Sequence, residues 1–134
     1  MDYKEKIYAV IGAAMEVHRV MKHGLTEPIY QEALEYEFRD RAIPYAREVQ
    51  VPVIYKSHVL DKYYQMDFVC YDDIILELKA AYTLTSEHRF QLFNYLRLTR
   101  KPYGILINFG EQSLHVERYC FDPETNECRG ISAK

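Results

Sequence analysis

Ile74-Ile75-Leu76-Glu77-Leu78-Lys79 is the stretch on which the reading of this sequence turns. It opens with three apolar residues in a row, the pattern of a strand covered on both faces and therefore central in its sheet. Side chains alternate along a strand, so Glu77 and Lys79 point to one face, two residues apart. Burying charge is expensive unless it is paired or bound to a metal. An ordinary ion pair at the strand's exit answers that need, and so does a functional site. Asp67, on the preceding strand, adds a carboxylate that hairpin geometry can bring beside Glu77. Two carboxylates converging near a lysine suit a hard cation such as Mg²⁺, which takes one or two carboxylates and keeps several waters. An ion there can polarise a phosphodiester and activate water, with the lysine orienting that water or offsetting transition-state charge.

The register between the two strands decides whether this happens. A two-residue loop at Asp72-Asp73 sets Asp67 opposite Leu78 and turns it away from Glu77. Asp67 and Glu77 share a face only if the pairing shifts by one residue. The sequence therefore predicts an odd-length loop centred on Asp72, or a bulge.

Working outward, apolar residues at Ile7, Val10, Ile11, Ala14, Val17 and Met21 predict a helix over 3–21. Gly24 fits its end, and Thr26 fits the N-cap of a second helix that carries Pro28 in its first turn and stops before Pro44. Val49, Val51, Val53 and Tyr55 alternate as in a half-buried strand, where Pro52 marks an edge position or a bulge. A second strand is expected over about 59–71. Helical spacing returns over about 85–100, with Phe90, Phe93 and Leu96 on one side, until Lys101-Pro102. Tyr103 to Phe109 reads as another buried strand closed by Gly110, and Ser113 to Phe121 as an outer strand. The order is α-α-β-β-β-α-β-β: an α/β mixed sheet with helices on its faces and a parallel crossover between the third and fourth strands. One domain over 1–134 is expected, with a polar, loosely ordered tail from about residue 123.

Composition narrows the function classes. Of 134 residues, 49% are hydrophobic and 28% charged, which argues against disorder. Three cysteines without a CxxC pair indicate neither a disulfide framework nor a zinc ribbon. The charged N-terminus is no signal core, and no apolar run approaches the roughly 20 residues of a membrane span. A soluble, cytoplasmic protein with no membrane partner is expected. A net charge of −3 supplies no blanket attraction to nucleic acid, although a local basic groove is compatible with it. Thirteen tyrosines without a tryptophan fit strand and interface filler, or base stacking.

Further residues stand out against a plain core. Glu27 heads a stripe of Tyr30, Leu34 and Phe38 on the second helix, either as an acid favoured by the helix dipole or as part of a site. His18 sits on the inward stripe of the first helix, as a satisfied core histidine or a metal ligand. Both side chains are expected to face the cavity of Asp67 and Glu77. Gln91 and Tyr95, four apart on the third helix, share a face with His88. Arg89, Arg97, Arg100 and Lys101 add charge there that either contacts a polyanion or is simply solvated. No phosphate-cradling glycine loop and no Ser/His/Asp arrangement competes with this site.

Together these residues resemble the PD-(D/E)XK nuclease superfamily, whose core runs α-β-β-β-α-β, and more narrowly its GxxExxY family. Gly24-Leu25-Thr26-Glu27-Pro28-Ile29-Tyr30 fits the naming motif at Gly24, Glu27 and Tyr30. Asp67, Glu77 and Lys79 fit the superfamily signature, with Met66 where proline often precedes the aspartate. Gln91 with Tyr95 fits the QxxxY motif of RecB-like nucleases, and Tyr103 to Gly110 resembles the strand that follows. The resemblance runs from about Val17 to Gly110. It implies a restriction-endonuclease-like fold and a phosphodiesterase dependent on Mg²⁺ or Mn²⁺. Asp67 and Glu77 would hold the ion with the Leu78 carbonyl, Glu27 and His18 would assist, and Lys79 would position or activate the attacking water. Gln91, Tyr95, Arg89 and Tyr30 would line a nucleic-acid groove. The expected substrate is DNA rather than RNA, and monomer and homodimer are both open. The rival is a non-catalytic nucleic-acid-binding or assembly module that keeps the fold and the acidic site.

Overall fold

Across residues 1–133, which the computed structural model describes, the chain forms a six-stranded mixed sheet with helices on both faces. The elements are α1 (Tyr3–Met21), α2 (Glu27–Asp40), β1 (Tyr45–Tyr55), β2 (His58–Cys70), β3 (Ile74–Lys79), α3 (Ser86–Thr99), β4 (Tyr103–Asn108), β5 (His115–Asp122) and β6 (Glu127–Gly130). The strands lie side by side in chain order. β3 and β4 run parallel across the α3 crossover, and the other neighbours are antiparallel.

Local chemistry sets the helix limits. The Asp2 side chain caps α1 by accepting from the Glu5 amide at 2.9 Å. Pro28 occupies the first turn of α2, where a missing N–H costs nothing. Thr85 and His88 form a reciprocal capping box at the start of α3. α1 ends at Met21 with Lys22 as its C-cap at φ 62°, two residues before the expected glycine, and Gly24 takes a positive φ within the following loop.

Alternation on β3 and β4 splits the core into two layers. Ile74, Leu76, Leu78, Ile105, Ile107 and Phe109 pack under α1 and α2. Ile75 and Leu106 face α3, joined by Leu84, Leu92 and Leu96. All six β3 residues except Lys79 are fully buried, as the apolar opening of that strand requires.

Phe68, Val69 and Cys70 pair with Leu76, Ile75 and Ile74, and the connecting loop is the three-residue Tyr71-Asp72-Asp73. This is the odd-length loop expected from sequence. Tyr71 and Asp72 both take positive φ to close it.

β1 and β2 carry an irregularity that alternation alone did not reveal. Tyr45 packs toward α1 and α2, whereas Val49 and Val51 pack toward α3, although all three are odd-numbered. Phe68 and Met66 differ in the same way on β2. The change of face falls at Glu48, whose φ is 55°, and at Asp67, which lies across from it. The register is the same on either side, so both strands twist together there. The register does shift between Pro52 and Ile54 on β1, an edge strand as Pro52 requires. Around this point Tyr55, Tyr63 and Tyr64 are exposed.

The expected loose tail forms β6, so β5 is not the outermost strand. The hairpin is built by Asp122, whose side chain accepts from the Glu124 amide at 2.9 Å, and by Asn126 at φ 60°. Four strand residues are too few to show a period, so the sequence hides it.

Candidate functional site

β2 and β3 part company after the Phe68–Leu76 pair, and there two side chains take over from the backbone ladder. The Asp67 amide donates to Glu77 Oε1 at 3.0 Å, and the Leu78 amide donates to Asp67 Oδ2 at 2.8 Å. Each carboxyl is thus held by the other strand's main chain. Glu77 is only 3% exposed. Glu77 and Lys79 lie on the α3 side of β3, where Lys79 Nζ donates to Gln91 Oε1 at 2.9 Å.

Burial raises both carboxyls above their ordinary range. For Glu77 the nearby charge of Asp67 raises it further. For Asp67, the Leu78 amide and Lys79 pull the other way, and the charge of Glu27 adds to the rise.

A cleft of about 380 Å³ opens beside Asp67, lined by Thr26, Glu27, Pro28, Gln31, Asp67 and Leu78. Glu27 therefore stands at the first residue of α2, on a rim shared with Asp67. Among the described residues no ion pair engages Asp67 or Glu77, because Lys79 is turned to Gln91. A buried and a half-buried carboxyl that no ion pair engages are oxygen ligands of the kind that suits Mg²⁺ or Mn²⁺. No group of three His, Cys, Asp or Glu among the described residues is arranged to hold a metal alone, so an ion here would rely on main-chain oxygen and water for the rest of its shell.

A model of the PD-(D/E)XK nuclease superfamily matches residues 4–119. The chain belongs to that superfamily. Its members are typically nucleases, and divalent metal ions are their general cofactors. The mixed sheet is consistent with the restriction-endonuclease-like fold of the group. The crystal structure of SSO0001 is similar in fold, with a TM-score of 0.56 and 19% identity over 74% of this chain. This chain's match spans 52%, about half, of that one. No curated protein matches the sequence. No helix among the described residues is long and apolar enough to cross a membrane.

Against this PD-(D/E)XK frame, several expected site residues take other places. His18 does not join the carboxyls: its Nε2 donates to the Glu111 carbonyl at 2.9 Å, and its ring lies beside Phe109. A carbonyl only accepts, so that nitrogen carries the proton, and His18 is a core histidine. Tyr30 is fully buried, stacks on Phe109 at 4.6 Å, and cannot line a nucleic-acid groove. Its hydroxyl donates to the Lys22 carbonyl and accepts from the Leu25 amide, which ties down the loop that leads to Glu27. Tyr95 is 3% exposed; its ring meets Tyr64 at 5.7 Å and its hydroxyl reaches the Gln65 carbonyl. It supports the floor of the site rather than a groove surface. Arg89 is committed to Glu117 through two bonds of 2.7 and 2.8 Å.

Sequence reasoning missed Asn108, Gly110 and Gln31. Asn108 is fully buried; its Oδ1 accepts from the Ala81 and Gly110 amides, and its Nδ2 donates to the Ala81 carbonyl and to Glu111. It thereby holds the chain just beyond Lys79. A Cβ at Gly110 would lie 2.2 Å from the Ala81 carbonyl oxygen, so only glycine fits that close approach. The signal was an asparagine ending an otherwise apolar strand. Gln31 donates to the Asp67 carbonyl at 3.4 Å and accepts from Arg47 at 3.3 Å, bracing Asp67 from α2. One glutamine on a helix carries no such signal.

Proposed function

We propose that this chain is a metal-dependent nuclease of the GxxExxY family that hydrolyses phosphodiester bonds in DNA. The observation that carries the reading is the crossed pair of bonds between β2 and β3, which juxtaposes two carboxyls, with Glu77 two residues from Lys79 on the same strand. Asp67, Glu77 and the Leu78 carbonyl would hold Mg²⁺ or Mn²⁺, with Glu27 across the cleft binding its waters. When bound, the ion supplies Lewis-acid polarisation of the phosphate and a more acidic water. Lys79, held by Gln91, orients the attacking water and offsets charge developing on the phosphoryl oxygens. The Asn108 brace keeps Lys79's exit strand from drifting, and Gln31 does the same for Asp67.

The test is cleavage of DNA by the purified protein with Mn²⁺ or Mg²⁺, abolished by EDTA. Asp67→Ala and Glu77→Ala should lose both cleavage and the rise in Tm that the metal produces, a rise any ligand of the native state confers. Lys79→Ala should lose roughly 10²-fold or more in kcat while retaining that rise. Purified identically, it also controls for contaminating nucleases. Folded, metal-bound wild type that leaves DNA and RNA intact overturns the nuclease reading and favours a non-catalytic binding module.

A further inference from the structure

The third residue of α3 brings to this site a side chain that the chemistry above leaves unused. His88 is half-buried at the N-terminus of α3. Its Nδ1 accepts from the Thr85 amide at 3.2 Å, while the Thr85 hydroxyl accepts from the His88 amide at 3.3 Å. An amide only donates, so the neutral ring must carry its proton on Nε2. Within the described residues Nε2 takes no part in the hydrogen bonds of this capping box. His88 lies one turn before Gln91, on the helix face that receives Lys79. Lys79 from β3 and Glu27 from α2 both act on the ring, as do its helix neighbours Glu87 and Arg89. The imidazole therefore stands one helical turn from the Gln91 side chain that holds Lys79. Burial, and then the charge of Lys79, hold it below the usual histidine range, so it is neutral at physiological pH.

We propose that His88 is a substrate-binding residue of this site, its Nε2–H donating to a non-bridging phosphate oxygen of the nucleic-acid backbone. The proposal rests on the nuclease reading. A donor already oriented by its own helix cap loses little freedom on binding, and a bond to an ionised phosphate oxygen is among the stronger kinds.

Cap and substrate roles separate cleanly, because a capping box accepts Glu or Gln at this position. His88→Gln keeps an acceptor for the Thr85 amide and a free N–H donor. His88→Glu keeps the acceptor but offers the phosphate a carboxylate. Both variants should melt within a few degrees of wild type. Binding of a fluorescein-labelled DNA oligonucleotide, followed by anisotropy with Ca²⁺ in place of the catalytic metal, should weaken at least tenfold for His88→Glu. For His88→Gln it should stay within about threefold of wild type. In cleavage assays the loss should appear in KM more than in kcat. In ¹⁵N-labelled wild type the His88 Nε2 resonance should move when the oligonucleotide is added. Equal binding by all three proteins, or an Nε2 signal that does not respond, reduces His88 to a helix cap and overturns the proposal. If wild type cleaves DNA under those conditions, the nuclease reading survives that failure. If wild type neither binds nor cleaves, both fall together.

Discussion

Glu77 has one oxygen on the Asp67 amide and the charge of Asp67 close by. Burial first, and that charge second, raise its pKa in the fold above the unfolded value. Such a carboxyl stabilises the metal-free protein while it is protonated. That contribution is lost as pH climbs from the ordinary carboxylate range through the raised value. In EDTA, wild type should therefore lose stability as pH rises above the ordinary carboxylate range. Glu77→Gln keeps the acceptor for the Asp67 amide and removes the ionisation, so its profile should be flatter. At pH 8 it should be more stable than wild type by about 1 kcal/mol, a common size for relieving a strained functional site. Thermal denaturation of both proteins across pH is the measurement, and a less stable Glu77→Gln at pH 8 contradicts this account.

At the scale of elements, β1 and β2 change faces together at Glu48 and Asp67. Only one of the two positions takes a left-handed backbone, Glu48 at φ 55°. That conformation costs an L-residue roughly 1–2 kcal/mol and costs glycine almost nothing. Glu48→Gly is accordingly expected to equal or exceed wild-type stability. Glu48→Val, a β-branched residue forced to positive φ, should lose about 1–2 kcal/mol in urea unfolding. Because the kink lies opposite Asp67, Glu48→Val should also weaken the metal-induced rise in Tm more than its stability loss alone would.

For the molecule as a whole, α3 is fastened to the far half of the sheet by polar bonds as well as by packing. Glu117 on β5 accepts from Arg89, from the Tyr119 hydroxyl at 2.6 Å and from His115 at 2.8 Å. Arg89 foremost among them draws its pKa down to about 2. This contribution is present above the ordinary carboxylate value and is lost as pH falls toward 2. Acid unfolding of wild type should be steeper over that window than that of Glu117→Gln. At neutral pH the substitution should cost only about 1 kcal/mol, since the network is partly exposed and screened. The losses on lowering and on raising pH thus come from different strands, Glu117 on β5 and Glu77 on the central β3.

Local pattern was enough for much of this. The apolar opening of β3, the helical spacing over α1 and the turn residues at Asp72 and Asp73 dictated elements that sit where their residues require. The face shared by Glu77 and Lys79 follows from alternation alone, and the odd loop follows from asking Asp67 to join them. These features depend on neighbours in the chain, whose geometry the backbone imposes. Other outcomes depend on what arrives from far away. His18 and Tyr30 lie on inward stripes as the spacing says, but whether an inward side chain meets a site or a loop carbonyl is settled by the distant segment packed against it. Glu111 claims His18 from 93 residues along the chain, and Phe109 covers Tyr30. Asn108 closes on Ala81 only because the parallel register sets β4 beside β3. The paired twist at Glu48 leaves no periodic trace, since both strands turn together and keep their partners. Sequence determined which residues face inward, and tertiary packing alone decided what each of them meets there.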